Sequence, residues 1–253
     1  MYTQVVTEQL RRLKLHASAS HLEGMLSIQK KAIALDWLTE LLETELNARK
    51  EAATQNRIRL AQFPEVKTIE HFDFGFNKNI NESEVRMLST LKFMEQNGIV
   101  LLLGQPGTGK THIAISLGHL AASAGYKVFC ASAKTLQATI RRAIQANALD
   151  TLFKRLLSTK LWIIDDWGVV SYPRDIAEEV FDLFDRRKQS SAMILTSNRD
   201  IDEWPKVFPD VVLANATIDR MFENSKALIF TGDSYRLKGR IEITQKVLKS
   251  GKI

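Results

Sequence analysis

Two hydrophobic patterns divide the chain. Up to about residue 62, apolar positions recur at intervals of three and four: Leu38, Leu41, Leu42 and Leu46 interleave with Glu45 and Arg49, glutamates coming early and arginines late. This period predicts amphipathic helices, two or three of them, with Gly24 marking a break. The run Phe63-Pro64-Glu65-Val66-Lys67-Thr68 ends the pattern, because Pro64 has no backbone donor and restricts the residue before it. A domain boundary is expected there, separating a small all-α domain at 1–66 from a larger one at 67–253. Beyond it, short apolar runs at 99–103, 127–131, 161–165, 192–197 and 227–230 alternate with helical stretches. Such alternation predicts an α/β fold with a five-stranded parallel sheet flanked by helices. Leu161-Trp162-Ile163-Ile164 is apolar throughout rather than alternating, as a strand covered on both faces requires.

Composition narrows the class without fixing the chemistry. The 253 residues, 45% hydrophobic and 25% charged, suffice for one sizeable core and a small additional domain. No apolar run approaches the roughly 20 residues of a membrane-spanning helix, and the first residues lack a signal-like apolar stretch, so a cytoplasmic protein is expected. Cys130 stands alone after Val128-Phe129, which excludes an internal disulfide and suggests a small core residue. A net charge of +6 favours an acidic partner such as nucleic acid but does not decide for one. The five histidines are scattered without metal-ligand spacing.

The chemistry is carried by three strand ends. Gly104-Gln105-Pro106-Gly107-Thr108-Gly109-Lys110-Thr111 fits the pattern GxxxxGK[ST] at every fixed position and follows the apolar run ending at Leu103. In such a loop, glycines let backbone N–H groups close around phosphate oxygens at a helix N-terminus that favours negative charge. Ile113, Ala114, Leu117 and Leu120 supply the helix. Lys110 is therefore expected to reach the β and γ phosphates of a nucleoside triphosphate, and Thr111 to ligate magnesium. About fifty residues on, the strand Leu161–Ile164 ends in Asp165 and Asp166. Asp165 reads as the second magnesium ligand and Asp166 as the group that orients or polarises the attacking water. Met193-Ile194-Leu195-Thr196-Ser197 ends in Asn198, a neutral amide suited to hold both that water and the γ phosphate.

In this order and spacing the three motifs look like an AAA+ ATPase. More narrowly, the lead-in Ile69-Glu70-His71-Phe72-Asp73-Phe74, the phosphate loop continued by His112-Ile113-Ala114, the Thr196-Ser197-Asn198-Arg199 turn, Asp219-Arg220 and Gly232-Asp233-Ser234-Tyr235-Arg236 are similar to the IstB-type transposition helpers, relatives of the DnaC-type helicase loaders. The resemblance is strong over residues 69–238. It implies strand order 5-1-4-3-2, ATP and magnesium as cofactors, His112 and Arg236 beside the nucleotide, and a bacterial cytoplasmic protein. It also implies that Arg220 is an arginine finger reaching the γ phosphate held by a neighbouring copy, which would make the protein a homo-oligomer. The alternative for Arg220 is a helical ion pair with Asp219 or Glu223. Arg236 is open between a nucleotide contact, a subunit boundary and plain surface charge. Phe72 or Phe74 either stacks on the base or packs into the sheet edge.

Two features depart from the general AAA+ pattern. The acidic pair is Asp-Asp rather than Asp-Glu, so the base is one methylene shorter and turnover is expected to be slow or DNA-stimulated. Only 17 residues follow Arg236, too few for a helical C-terminal lid domain.

Between the second and third strands lie Lys134, Arg141, Arg142, Lys154, Arg155 and Lys160, with Asp150 the only acidic residue among them. By the resemblance, Lys134, Arg141, Arg142, Lys154 and Arg155 read as DNA phosphate contacts, joined by Arg174 from the loop Trp167–Arg174. Trp167 and Tyr172 either line the same channel or belong to the core. The resemblance thus implies an ATPase that assembles on duplex DNA, remodels it and recruits or activates a transposase through the N-terminal helices. A helicase loader preferring single strands is the alternative, and a small-molecule kinase sharing the phosphate loop is a third reading.

Overall fold

A computed structural model of the chain describes residues 2–27, 36–188 and 190–238. Contacts divide it into two compact units, 1–56 and 57–253. The first unit contains α1 (Tyr2–Arg12), α2 (His16–Ser27) and most of α3 (Asp36–Ala61). Leu38, Leu42 and Leu46 share one stripe of α3 and pack with Val6, Leu10, Leu13 and Ala19, whereas Leu41 is 57% exposed. Gly24 does not break a helix, because α2 runs through it. The break falls instead at Lys14, in left-handed conformation (φ 62°). There Leu15 N–H donates to Leu10 O and Lys14 N–H to Arg11 O, both at 2.9 Å, which closes the end of α1 without a glycine. A glycine inside a helix costs about 1 kcal/mol, and α2 continues through the exposed Gly24 all the same.

The second unit holds β1 (Ile99–Gly104), β2 (Val128–Ser132), β3 (Leu161–Asp165), β4 (Ala192–Ser197) and β5 (Ser225–Phe230). All pair in parallel in the order β2-β3-β4-β1-β5, which is 5-1-4-3-2 read from the other edge. Each buried strand divides its side chains between two cores. Leu101, Leu103, Trp162, Ile164, Met193 and Leu195 meet α6 (Ala133–Gln145), α7 (Leu149–Leu157), α8 (Arg174–Arg187) and α9 (Val211–Phe222) on one face. Val100, Leu102, Leu161, Ile163 and Ile194 meet α4 (Glu82–Ser89) and α5 (Lys110–Ser123) on the other. Two covered faces explain why the strands read as unbroken apolar runs.

Trp167 and Tyr172 are core residues, 0% and 3% exposed, in an aromatic cluster with Phe184, Trp204 and Phe208. Cys130 is buried in β2, and burial pushes its thiol up to about 12. No helix among the described residues is long and apolar enough to cross a membrane. Residues 239–253, on which the expected lack of a lid turns, lie outside the described residues.

The sheet is anchored by Trp162, whose indole N–H donates to Leu156 O at 3.0 Å between β3 and α7. Trp162→Ala is expected to cost about 3–5 kcal/mol, read as a lower urea midpoint with unchanged slope.

Candidate nucleotide-binding site

Parallel pairing puts the carboxyl ends of β1, β3 and β4 side by side, since Leu103 is opposite Ser197 and Ile164 opposite Leu195. β1 lies between β4 and β5, so the chain leaves adjacent strands in opposite directions and opens a crevice at this edge. The phosphate loop crosses it from Gly104 to the start of α5 at Lys110. Gly109 caps α5 without any side-chain bond, leaving the first-turn N–H groups to point at the crevice. Gly107 has φ +79°, and a Cβ there would come within 2.1 Å of Ser234 Oγ, so only glycine fits.

Lys110 is 4% exposed, and its Nζ donates to Gly104 O at 2.8 Å and Gln105 O at 2.6 Å. Gly104 and Gln105 thus hold the lysine from inside the loop, while Pro106, Gly107, Thr108 and Gly109 face the cavity. Burial lowers the Lys110 pKa to about 8, against the opposing pull of Asp166 and Asp165.

Asp165 closes β3, and its Oδ1 accepts from Thr111 Oγ1 at 2.8 Å and Thr196 Oγ1 at 2.5 Å. Asp166 turns away in left-handed conformation (φ 56°), its N–H donating to the same Thr196 hydroxyl at 3.0 Å. Its Oδ1 accepts from Asn198 Nδ2 at 3.0 Å. Burial raises the Asp166 pKa and the neighbouring Asp165 charge raises it further; Arg236, Lys110 and Asn198 act in the opposite direction. The result is one carboxylate fixed by two hydroxyls and a second kept more basic than an ordinary aspartate.

Lys110, Thr111, Asp165, Asp166 and Asn198 line a cavity of about 550 Å³ together with His112 and Arg236. One wall is the lead-in, where Thr68 O accepts from His112 Nε2 at 2.8 Å and Phe72 meets the His112 ring edge-on at 5.3 Å. Phe72 both lines the cavity and packs on the core, whereas Phe74 packs on the core without lining the cavity. Phe76, Asn77 and Tyr235 also reach the cavity. Sequence reasoning missed Asn77, Tyr235 and the bridging role of Thr196. Thr196 was visible as a polar residue ending a strand, but its partner Asp165 needs the β3–β4 register.

The structure does not bring Arg220 to this cavity. It lies in the last turn of α9, which leads into the start of β5 at the opposite edge of the sheet. Six strand residues at about 3.3 Å each separate the two edges by roughly 20 Å, beyond the reach of one side chain. Arg220 Nε lies 2.8 Å from Asp185 Oδ1, and Nη1 3.7 Å from Glu223 Oε2. The Glu223 pairing matches one sequence expectation; the closer partner, Asp185, was not among those expected. Lys134, Arg141, Arg142, Lys154, Arg155 and Arg174 are exposed on α6, α7 and α8. Among the described residues only Arg174 of these makes an ion pair, 3.2 Å from Glu178.

The Lys110 shift has a testable sign. Phosphate favours the charged amine and raises its pKa, so ATP affinity is full below about pH 8 and falls as pH rises through it. Calorimetry in buffers of different ionisation enthalpy at pH 8 is expected to show net proton uptake on ATP binding, lost in Lys110→Met.

The family described as IstB-like ATP binding protein matches residues 8–243. A protein of Pseudomonas aeruginosa, named for an ATP-binding role in insertion sequence IS21, is 38% identical over 90% of this chain and 87% of its own length. Among solved structures, DnaI superposes with TM-score 0.57 at 13% identity, covering 70% of this chain and 94% of that one. AMPPCP-bound DnaA from Aquifex aeolicus gives TM-score 0.55 at 20% identity, over 76% of this chain and 57% of that one. At these identities the two structures speak for fold alone, an AAA+ P-loop fold. With the match running through both the helical unit and the phosphate-binding sheet, the chain belongs to the IstB-like ATP binding protein family.

Proposed function

We propose that the chain is a magnesium-dependent ATPase that assembles on duplex DNA in its ATP state, remodels that DNA, and recruits or activates a transposase through its N-terminal helices. Hydrolysis then dismantles the assembly, in the bacterial cytoplasm. The observation that carries this reading is the single cavity shared by Lys110, Thr111, Asp165, Asp166 and Asn198, in a chain matched by the family from residue 8 to 243.

Thr111 Oγ1 and Asp165 Oδ1, hard oxygen donors 2.8 Å apart, suit a magnesium ion that would offset the charge of the β and γ phosphates. Lys110 leaves its loop carbonyls for the phosphates. Asp166, oriented by Asn198, accepts the proton of the water that attacks the γ phosphorus; the bond to the bridging oxygen breaks, and ADP carries the leaving charge. The raised Asp166 pKa suits a base, while its short side chain keeps turnover slow. Arg220 acts on the site of a neighbouring copy, consistent with its distance from its own cavity, and nucleotide therefore sits at subunit interfaces. DNA phosphates meet Lys134, Arg141, Arg142, Lys154, Arg155 and Arg174.

Native mass measurement on duplex and single-stranded DNA, with ADP and with a non-hydrolysable ATP analogue, tests the reading. Large ATP-dependent assemblies on duplex are expected; single-strand preference would favour a helicase loader, and no assembly would remove both. Arg220→Ala is expected to retain ATP binding and lose about 10³-fold or more in turnover; ordinary rates would sink the finger assignment. Neutralising Arg141, Arg142 and Lys154 is expected to flatten the salt dependence of duplex binding by about 0.9 per lost phosphate contact.

A further inference from the structure

The segment 231–238 after β5 is fastened to the cavity from two sides. On one side it rests on the phosphate loop: Tyr235 N–H donates to Gly107 O at 2.9 Å, and Ser234 fills the space above Gly107. On the other it meets the lead-in through Asn77, a residue only 6% exposed. Asn77 Nδ2 donates to Asp233 O at 3.0 Å and its Oδ1 accepts from Asp233 N–H at 3.1 Å, so one side chain pairs both backbone groups of one residue. Gly232 has φ +123°, and a Cβ there would come within 2.3 Å of Asn77 Oδ1, so the strap is shaped to admit this amide. Phe76 meets Tyr235 edge-on at 5.1 Å, and Lys238 lies 2.9 Å from Asp73 while its Nζ stands 5.0 Å and 4.8 Å from the Phe76 and Tyr235 rings.

What the strap carries into the cavity is Arg236, which lines it with Lys110, Asp166 and Asn198. Arg236 belongs to a single 3-10 turn, Tyr235–Leu237, too short to hold a long side chain by itself. Its backbone position is inherited from Asp233, Ser234 and Tyr235, all fixed by the contacts above. The amide is chemically suited to this work: it offers a donor and an acceptor in one plane, matching a peptide's C=O and N–H, and adds no charge beside the phosphates.

We propose that Asn77 is a positioning residue that sets Arg236 against the terminal phosphate, and so makes the site discriminate nucleoside triphosphate from diphosphate. The proposal rests on the nucleotide reading above, with Arg236 as a contact to the nucleotide. Asn77 commits its amide to the Asp233 backbone and so acts through the strap. Its loss leaves the β phosphate in the loop and frees the guanidinium to leave the γ position, so ATP affinity falls and ADP affinity stays.

The experiment is a double-mutant cycle read as the ratio of ATP-analogue to ADP affinity, with Asn77→Ala, Arg236→Ala and the double variant in the full chain. Loss of a charge-assisted hydrogen bond predicts a fall of roughly tenfold or more in that ratio for each single variant. The double variant is expected to lose no more than either alone, because both remove the same contact. If Arg236→Ala lowers the ratio and Asn77→Ala leaves it intact, the positioning role is overturned while Arg236 stands. If Arg236→Ala leaves the ratio intact, the Arg236 contact itself is wrong and the proposal falls with it. A merely structural Asn77 would weaken both nucleotides equally and add to Arg236→Ala, which also overturns the proposal. Should Asn77→Ala fail to fold, Gly232→Ala perturbs the same contact from the strap side and carries the same expectation.

Discussion

The site depends on one carboxylate. Asp165 ties Thr111 of α5 and Thr196 of β4 to the end of β3, and the Thr196 hydroxyl in turn receives the N–H of Asp166. Three elements distant in sequence are thereby held at hydrogen-bond distance around one oxygen. Asp166 takes its left-handed turn toward Asn198 with its backbone N–H paired to the same Thr196 hydroxyl. Lys110 is drawn into the same field, where the two aspartates support a charge that burial opposes. In such a cluster the polar groups are already held in place, with the reorganisation done during folding.

Much of this was legible in the sequence. The strand runs, the phosphate loop and the acidic pair lie where hydrophobic pattern and motif put them, because both cores draw on the same unbroken apolar stretches. β5 begins at Ser225, two residues before its apolar run, since an edge strand pairs on one side only and tolerates a polar start. Gly24 misled because glycine is an ambiguous mark: α1 is closed by Lys14, whose left-handed backbone no residue-type rule announces. Contacts made across sequence distance were hidden. The bond of Asn77 to Asp233 spans 156 residues, and nothing local to either betrays the other.

The two ends of the sheet divide the labour. The carboxyl edge gathers Lys110, Asp165, Asp166 and Arg236, while the amino edge carries Arg220 with Asp185 and Glu223. A chain with a cavity at one edge and a candidate finger at the other associates head to tail if the two meet. Head-to-tail contacts are heterologous; they make rings when the rotation closes and helical filaments when it does not. The Asp185 pair would then be exchanged for a phosphate when a neighbour arrives, a trade of one anion for another at the same guanidinium.

Cys130 has a practical consequence. With the thiol buried in β2 and its pKa pushed up to about 12, Cys130 is held in the protonated, weakly nucleophilic form at neutral pH. The native chain's own thiol is therefore a poor target for maleimides and other thiol probes. A cysteine placed at an exposed position becomes the preferred labelling handle, so fluorophores or spin labels can be directed to it with Cys130 left in place.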